Sequence, residues 1–216
     1  MSTVKRRPAR RTRPYDASLR REQAGKSRER IVEAAEQRFL RDGYRATTIA
    51  AIADDAGVSV DTIYKGFGGK PGLIRGIQAR ALRGGGAVPA EQRSEELQAS
   101  EPDARKIIKG WGAFVTEIAP RSAPILLLVR DAASIYPELR ALLEELDADR
   151  LRRMSDNARY LYAAGHLREG ITIGHAARIL WTYSSAELYE LLVLRGGMKL
   201  RTYGGFVADA MIAALL

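Results

Sequence analysis

Residues 47–70 read TTIAAIADDAGVSVDTIYKGFGGK. Two short helices joined by a tight glycine turn fit this stretch, the helix-turn-helix pattern. Thr47 or Thr48 can cap the first helix, because a hydroxyl accepts a bond from a free first-turn N–H. Ile49, Ile52, Ala53 and Ala56 recur at helical spacing and give that helix one buried face. Gly57 follows, where positive φ lets one helix end and the chain turn into the next. Ser59 is a second cap, with Asp61 just inside, where the helix dipole favours negative charge. The second helix runs from Val60 to Phe67. With Val58, Ile63 and Phe67 packed inward, Val60, Asp61, Thr62, Tyr64 and Lys65 face out. A helix with such a face can enter the DNA major groove, its N-terminal residues toward the base edges.

Working outward, Ser27 to Asp42 is predicted as a helix with one apolar stripe, Ile31, Ala34, Ala35 and Phe39, packed on the reading pair and ended by Gly43. Lys70 and Pro71 open a further helix to Arg83. Pro71 is tolerated there because first-turn N–H groups have no partner anyway.

Ser27 to Arg83 closely resembles the N-terminal domain of the TetR family of bacterial transcriptional regulators. The run IADDAGVSVDTIY followed by F-x-x-K-x-x-L (Phe67, Lys70, Leu73) carries the resemblance. It covers under a third of the chain; beyond it the likeness is one of architecture. Two positions depart from the family pattern. Asp61 stands where a small residue or proline is more usual, and either stabilises the helix start or accepts a bond from a cytosine amine. Gly66 stands where the family often has a phosphate-touching histidine or tyrosine. Phosphates are expected on Thr48, Tyr64, Lys65 and Lys70, the last matching the position of the family's phosphate-contacting lysine, and base edges on Ser59, Val60, Asp61 and Thr62, with Thr47 a further DNA-binding candidate. Val60 suits a thymine methyl.

The 216 residues carry a net charge of +9. Residues 1–84 hold 19 Lys or Arg against 9 Asp or Glu, a balance of +10; residues 85–216 hold 16 against 17, a balance of −1. The excess therefore sits at the helix-turn-helix end, the electrostatic footprint of a DNA binder. Residues 1–26 hold nine Lys or Arg and few large apolar groups, and read as a flexible basic arm. Such an arm either tracks phosphates or the minor groove, or is a solvated tail adding non-specific affinity. There is no cysteine, so no disulfide framework. The longest strongly apolar run, Ala123 to Val129, is too short for a bilayer span. A cytoplasmic, nucleoid-associated protein with no membrane partner is expected.

The expected fold is all-α: a three-helix helix-turn-helix DNA-binding domain at 27–84 (the motif at about 48–67), then a larger helical ligand-binding and dimerisation domain at 102–216. The glycine-rich, polar stretch 85–101 reads as a linker or loop. In the second domain helices are predicted at 102–119, 123–134, 137–165, 172–194 and 200–216, with breaks at Pro120 and at Arg195-Gly196-Gly197. The last two helices are apolar over more surface than one core face needs, which points to burial on both sides. Paired TetR-like helices form a four-helix bundle with their twofold mates, so a homodimer on a palindromic double-stranded operator is expected, its reading helices about 34 Å apart.

No catalytic constellation, metal site or cofactor motif is present. His166 and His175 lack ligand partners at useful spacing, and neither glycine run ends as a phosphate loop does. The resemblance implies a small effector held in the helical body. Trp111, Phe114, Leu127, Tyr160, Trp181, Tyr183 and Ser184 are the candidate lining, which suits a mostly apolar ligand. Each aromatic alone reads equally as core. The function expected is a repressor released by such an effector. The alternative is a factor of the same fold without an effector, in a nucleoid or division role; an enzyme is not expected.

Overall fold

The computed structural model describes residues 14–86 and 88–216, and the backbone alone for 14–19. The helices are α1 (Pro14–Ala46), α2 (Ile49–Ala56), α3 (Val60–Phe67), α4 (Lys70–Arg83), α5 (Ala90–Ser100), α6 (Ala104–Ala132), α7 (Pro137–Ala163), α8 (Ile173–Tyr183), α9 (Ala186–Tyr189) and α10 (Leu200–Leu215), with a π-helical segment, Glu190–Arg195, after α9. Among the described residues there is no strand.

Local chemistry sets the first boundaries. Gly43 takes φ 78°, ψ 169°, so regular helix stops at Asp42 although α1 resumes briefly to Ala46. The Thr48 hydroxyl accepts from Ala51 N–H at 3.1 Å and caps α2. Gly57, left-handed at φ 63°, ends α2, and its N–H reaches back to the carbonyls of Ala53 and Asp54. Ser59 caps α3 through Thr62 N–H at 3.2 Å.

The α1–α4 core holds Ile31, Ala35, Phe39, Ile52, Ile63, Leu73, Ile74 and Ile77, all at most 3% exposed. It does not close on itself. Ile125 and Val129 of α6 and Leu139 and Leu142 of α7 belong to the same cluster. A second core joins α6, α7, α8, α9 and α10 around Ile107, Ile108, Leu161, Leu180, Tyr203 and Val207. Helix α6 threads both cores. By length and composition it could cross a membrane; in this fold its Ile107, Ile108, Ile125 and Val129 lie in the two cores with no exposure.

Four expectations are corrected. Residues 1–13 lie outside the described residues, but 14–26 of the expected arm continue α1 as helix. This segment is rich in strong helix formers, and a helix already nucleated by a buried stripe extends at little further cost. The stretch expected as a linker contains α5. It has no apolar stripe, but polar bonds hold it: Arg93 makes two bonds of 2.9 Å to the Glu117 carboxylate of α6. Helix α6 runs unbroken through Pro120 and Pro124. Burial of Ser122, Ala123 and Ile125 around the prolines holds it together where backbone bonds are lost. Conversely, the expected 172–194 helix divides at Ser184, because Ser185 turns extended and caps α9 through Leu188 N–H.

Candidate nucleic-acid interface and the body cavity

Helix α3 presents its face as its sequence pattern requires. Ile63 is fully buried, while Val60 is 40% and Tyr64 53% exposed. Asp61 and Lys65 are exposed and form an i,i+4 ion pair at 2.7 Å. The Ser59 and Thr62 hydroxyls lie 2.8 Å apart at the helix start. Thr48 is exposed at the start of α2, beside free N–H groups that suit a phosphate. These seven residues are all exposed, Thr48 at the start of α2 and the other six from the cap through the second turn of α3. Arg28 of α1 braces the back of α3: its guanidinium lies 4.3 Å over the Phe67 ring and donates to the Gly66 carbonyl at 3.3 Å.

Two expected contact residues point elsewhere. Thr47 is 1% exposed, and its hydroxyl donates to Gly43 O at 2.8 Å. Its side chain closes the α1–α2 turn, adding a second bond to a carbonyl that already accepts from the Thr47 backbone N–H at 3.3 Å. The Lys70 ammonium donates to Tyr44 O at 2.6 Å and Thr47 O at 2.9 Å and sits 4.3 Å over the Tyr44 ring. Burial lowers its pKa, opposed by nearby Glu138. Two of its three N–H groups are thus committed internally. Tyr44 in turn donates from its hydroxyl to Glu138 of α7 at 3.2 Å. Burial and that carboxylate push its phenol up to about 12. Lys70, Tyr44 and Glu138 form a polar joint between the reading helices and the body.

The body contains a partly open cavity of about 560 Å³ bounded by α4, α5, α6, α7 and the α8–α9 junction. Of the expected lining, Trp111, Phe114 and Ser184 face it. Leu127, Tyr160, Trp181 and Tyr183 are instead packing residues of the second core or brace its walls. Tyr160 donates to Gln98 O at 2.7 Å, and the Trp181 ring lies 4.5 Å under the Arg150 guanidinium. Missing from the expectation were Ser94 and Gln98 of α5, and Arg150, Met154 and Asn157 of α7. Residues 150, 154 and 157 recur at helical spacing; two polar residues inside an otherwise apolar stripe were a readable sign of something other than core. Ser94 accepts from Trp111 Nε1 at 3.0 Å and Gln98 bonds Asn157 Oδ1 at 3.0 Å. Arg130 of α6 pairs with Glu190 at 2.7 Å.

Cavity and reading helices share α4. Its Ala79, Leu82 and Arg83 line the cavity, while its Leu73, Ile74 and Ile77 lie in the α1–α4 core. Between them Gln78, 4% exposed, exchanges bonds with Ser122 of α6: it donates to Ser122 O at 3.3 Å and accepts from Ser122 Oγ at 2.9 Å. Among the described residues no group of three or more potential metal ligands occurs.

Residues 31–77 match the family described as "Bacterial regulatory proteins, tetR family". An uncharacterised HTH-type transcriptional regulator of Bacillus subtilis strain 168, YvkB, is 27% identical over 134 residues, 59% of this chain and 67% of its own length. SmeT, solved as a triclosan complex, is 26% identical with a TM-score of 0.67, covering 88% of this chain and 91% of that one. NalD, described as the secondary repressor of the MexAB-OprM multidrug efflux pump in Pseudomonas aeruginosa, shares the fold at 22% identity and a TM-score of 0.69, over 90% of this chain and 98% of its own.

Proposed function

We propose that this chain, which belongs to the tetR family of bacterial regulatory proteins, is a homodimeric repressor that leaves a palindromic operator when a mostly apolar small molecule enters the body cavity. Its relatives are transcription regulators rather than enzymes, and the family's regulators bind operators as dimers. The specific operator contacts proposed are Thr48, Ser59, Val60, Asp61, Thr62, Tyr64 and Lys65, with Arg, Lys and backbone groups around them supplying phosphate affinity. The DNA-binding unit proposed is α1–α4 and the body α5–α10. Such a repressor acts in the cytoplasm, on the nucleoid.

The observation that carries the effector part is the double duty of α4. A ligand that displaces Ala79 and Leu82 moves the same rigid helix that holds Leu73 and Ile77 in the reading domain's core. Packed interfaces shift between discrete arrangements rather than deforming smoothly. A 560 Å³ cavity also lies within the range of small-molecule sites, which supports this reading over the effector-free alternative. SmeT's triclosan complex and NalD's role as a repressor are in keeping with it. The dimer is supported by Leu191, Leu194 and Phe206, 52%, 54% and 42% exposed near and on the last helix; a twofold mate would cover them.

The test is a small-molecule screen with two readouts on the same samples, thermal stability of the protein and release of labelled operator DNA. Compounds that raise the melting temperature and release DNA at matching concentrations are expected. Ligands that stabilise the protein yet leave DNA affinity unchanged would overturn the coupling.

A further inference from the structure

The cavity has two polar poles of different character. At one pole stands Arg150, with only 14% of its side chain exposed. Its guanidinium donates to Trp181 O and Ser184 Oγ and to Asp147 at 3.2 Å. These contacts engage three of its five N–H groups. Asp147 is 46% exposed, so solvent weakens its compensation of the buried cation. Arg153 also lines this pole; burial, the largest influence, lowers the Arg150 pKa, opposed by Asp147 and by the charge of Glu187, with a smaller lowering from Arg153. The cavity's own carboxylates, Glu91, Glu95 and Asp156, are exposed, and Asp156 is already paired with Arg159.

The other pole presents neutral donors, with the exposed Glu91 and Glu95 of α5 and Asp156 of α7 lining the cavity on the same two helices. Ser94 Oγ accepts from both Trp111 Nε1 and Gln98 Nε2, which leaves its own O–H free to donate. Asn157 spends its Oδ1 on Gln98, which leaves its amide N–H groups to donate. Asn157 and Arg150 are seven residues apart on α7, about 10 Å along its axis. Between the poles the wall is apolar, formed by Phe114, Leu126, Met154 and Leu180.

We infer that the ligand of this cavity is an organic anion, a carboxylate or a comparably acidic group held by Arg150, with an apolar body about 10 Å long and a hydrogen-bond acceptor at its far end for Ser94 and Asn157. The inference rests on the effector reading above and narrows it to a chemical class. An under-compensated, desolvated guanidinium favours an anion strongly, because the charge-assisted bond forms away from competing water.

The test compares three rigid probes of matched shape by titration calorimetry on the full chain: para,para′-hydroxybiphenylcarboxylate, its carboxamide, and the corresponding benzylammonium. A neutral naphthylamine dye, titrated against the protein and against Ala119→Trp, which fills the cavity, reports whether the cavity admits ligands at all. The carboxylate is expected to bind about 10- to 100-fold more tightly than the carboxamide, and the ammonium least. Arg150→Met should erase that preference while dye binding persists, and Arg150→Lys should retain part of it. Dye binding blocked by Ala119→Trp, with carboxylate and carboxamide binding equally, would overturn the anion assignment and leave the cavity reading standing. Failure of the dye to bind the unmodified protein would overturn both. If Arg150→Met does not fold, the carboxylate-to-carboxamide ratio of the unmodified protein decides alone.

Discussion

Lys70 is a joint residue, and its removal should show that directly. In Lys70→Met the ammonium's bonds to Tyr44 O (2.6 Å) and Thr47 O (2.9 Å) are lost, with its placement over the Tyr44 ring. A charged hydrogen bond contributes about 1.5 kcal/mol at the low end of its range, appropriate to a half-buried group. The cation–π contact adds about 0.5 kcal/mol. Water can replace part of this at the carbonyls, so the net loss is about 2–3 kcal/mol. For a chain of this length that lowers the melting temperature by about 5–10 °C. Operator affinity should fall for every sequence alike, because the entry to α2 loosens, but its dependence on salt should stay the same. A lysine whose role is to neutralise a phosphate behaves oppositely: each lost contact lowers the salt slope by about 0.9, roughly 1.8 for a dimer. The assay is operator binding across a salt series beside a thermal melt of both proteins. A slope reduced by that amount with an unchanged melting temperature would refute the reasoning.

Three further outcomes are expected. Substituting Val60 by Thr should change which base is preferred at one position of each half-site by about 1–2 kcal/mol in binding-site competition, with little change in stability, since the side chain is exposed and touches no core. Stability should fall in acid partly through Glu117. Its hydrogen bonds with Arg93 hold its pKa below the usual carboxylate range, outweighing burial. The stabilisation is therefore complete above the unfolded value near 4.5 and is lost as pH falls through the lower folded value; Glu117→Gln should flatten that acid limb in pH-dependent melts and loosen α5 over the cavity. Phe206→Glu should convert dimer to monomer in sedimentation, because one charge per protomer would be buried without a partner in the twofold contact; an unshifted sedimentation coefficient would move the interface elsewhere.

Much of this was legible in the sequence for identifiable reasons. Caps and turns are local chemistry, so Thr48, Gly57 and Ser59 fell where the side chains demanded. The outward face of α3 followed from a single buried Ile63. What local pattern could not reveal was where polar groups meet across the fold. Lys70 reads as a phosphate contact until the structure brings Tyr44 O and Thr47 O to its amine, 26 and 23 residues away. Helix α5 carries no apolar stripe, so its periodicity is silent; its order comes from Arg93 and Gln98 reaching Glu117 and Asn157. The aromatics offered as pocket lining divided because an aromatic at helical spacing serves either core or cavity, and only tertiary contacts separate Phe114 from Trp181.

The central claim, a dimer reading a specific palindrome through α2 and α3, is tested most directly by selection of bound duplexes from a random library at physiological salt, followed by sequencing. The account predicts an inverted repeat with half-sites about one helical turn apart, its preference altered by substitution at Val60. Retention of duplexes with no shared motif would contradict it and leave the basic N-terminal region as the source of a non-specific affinity.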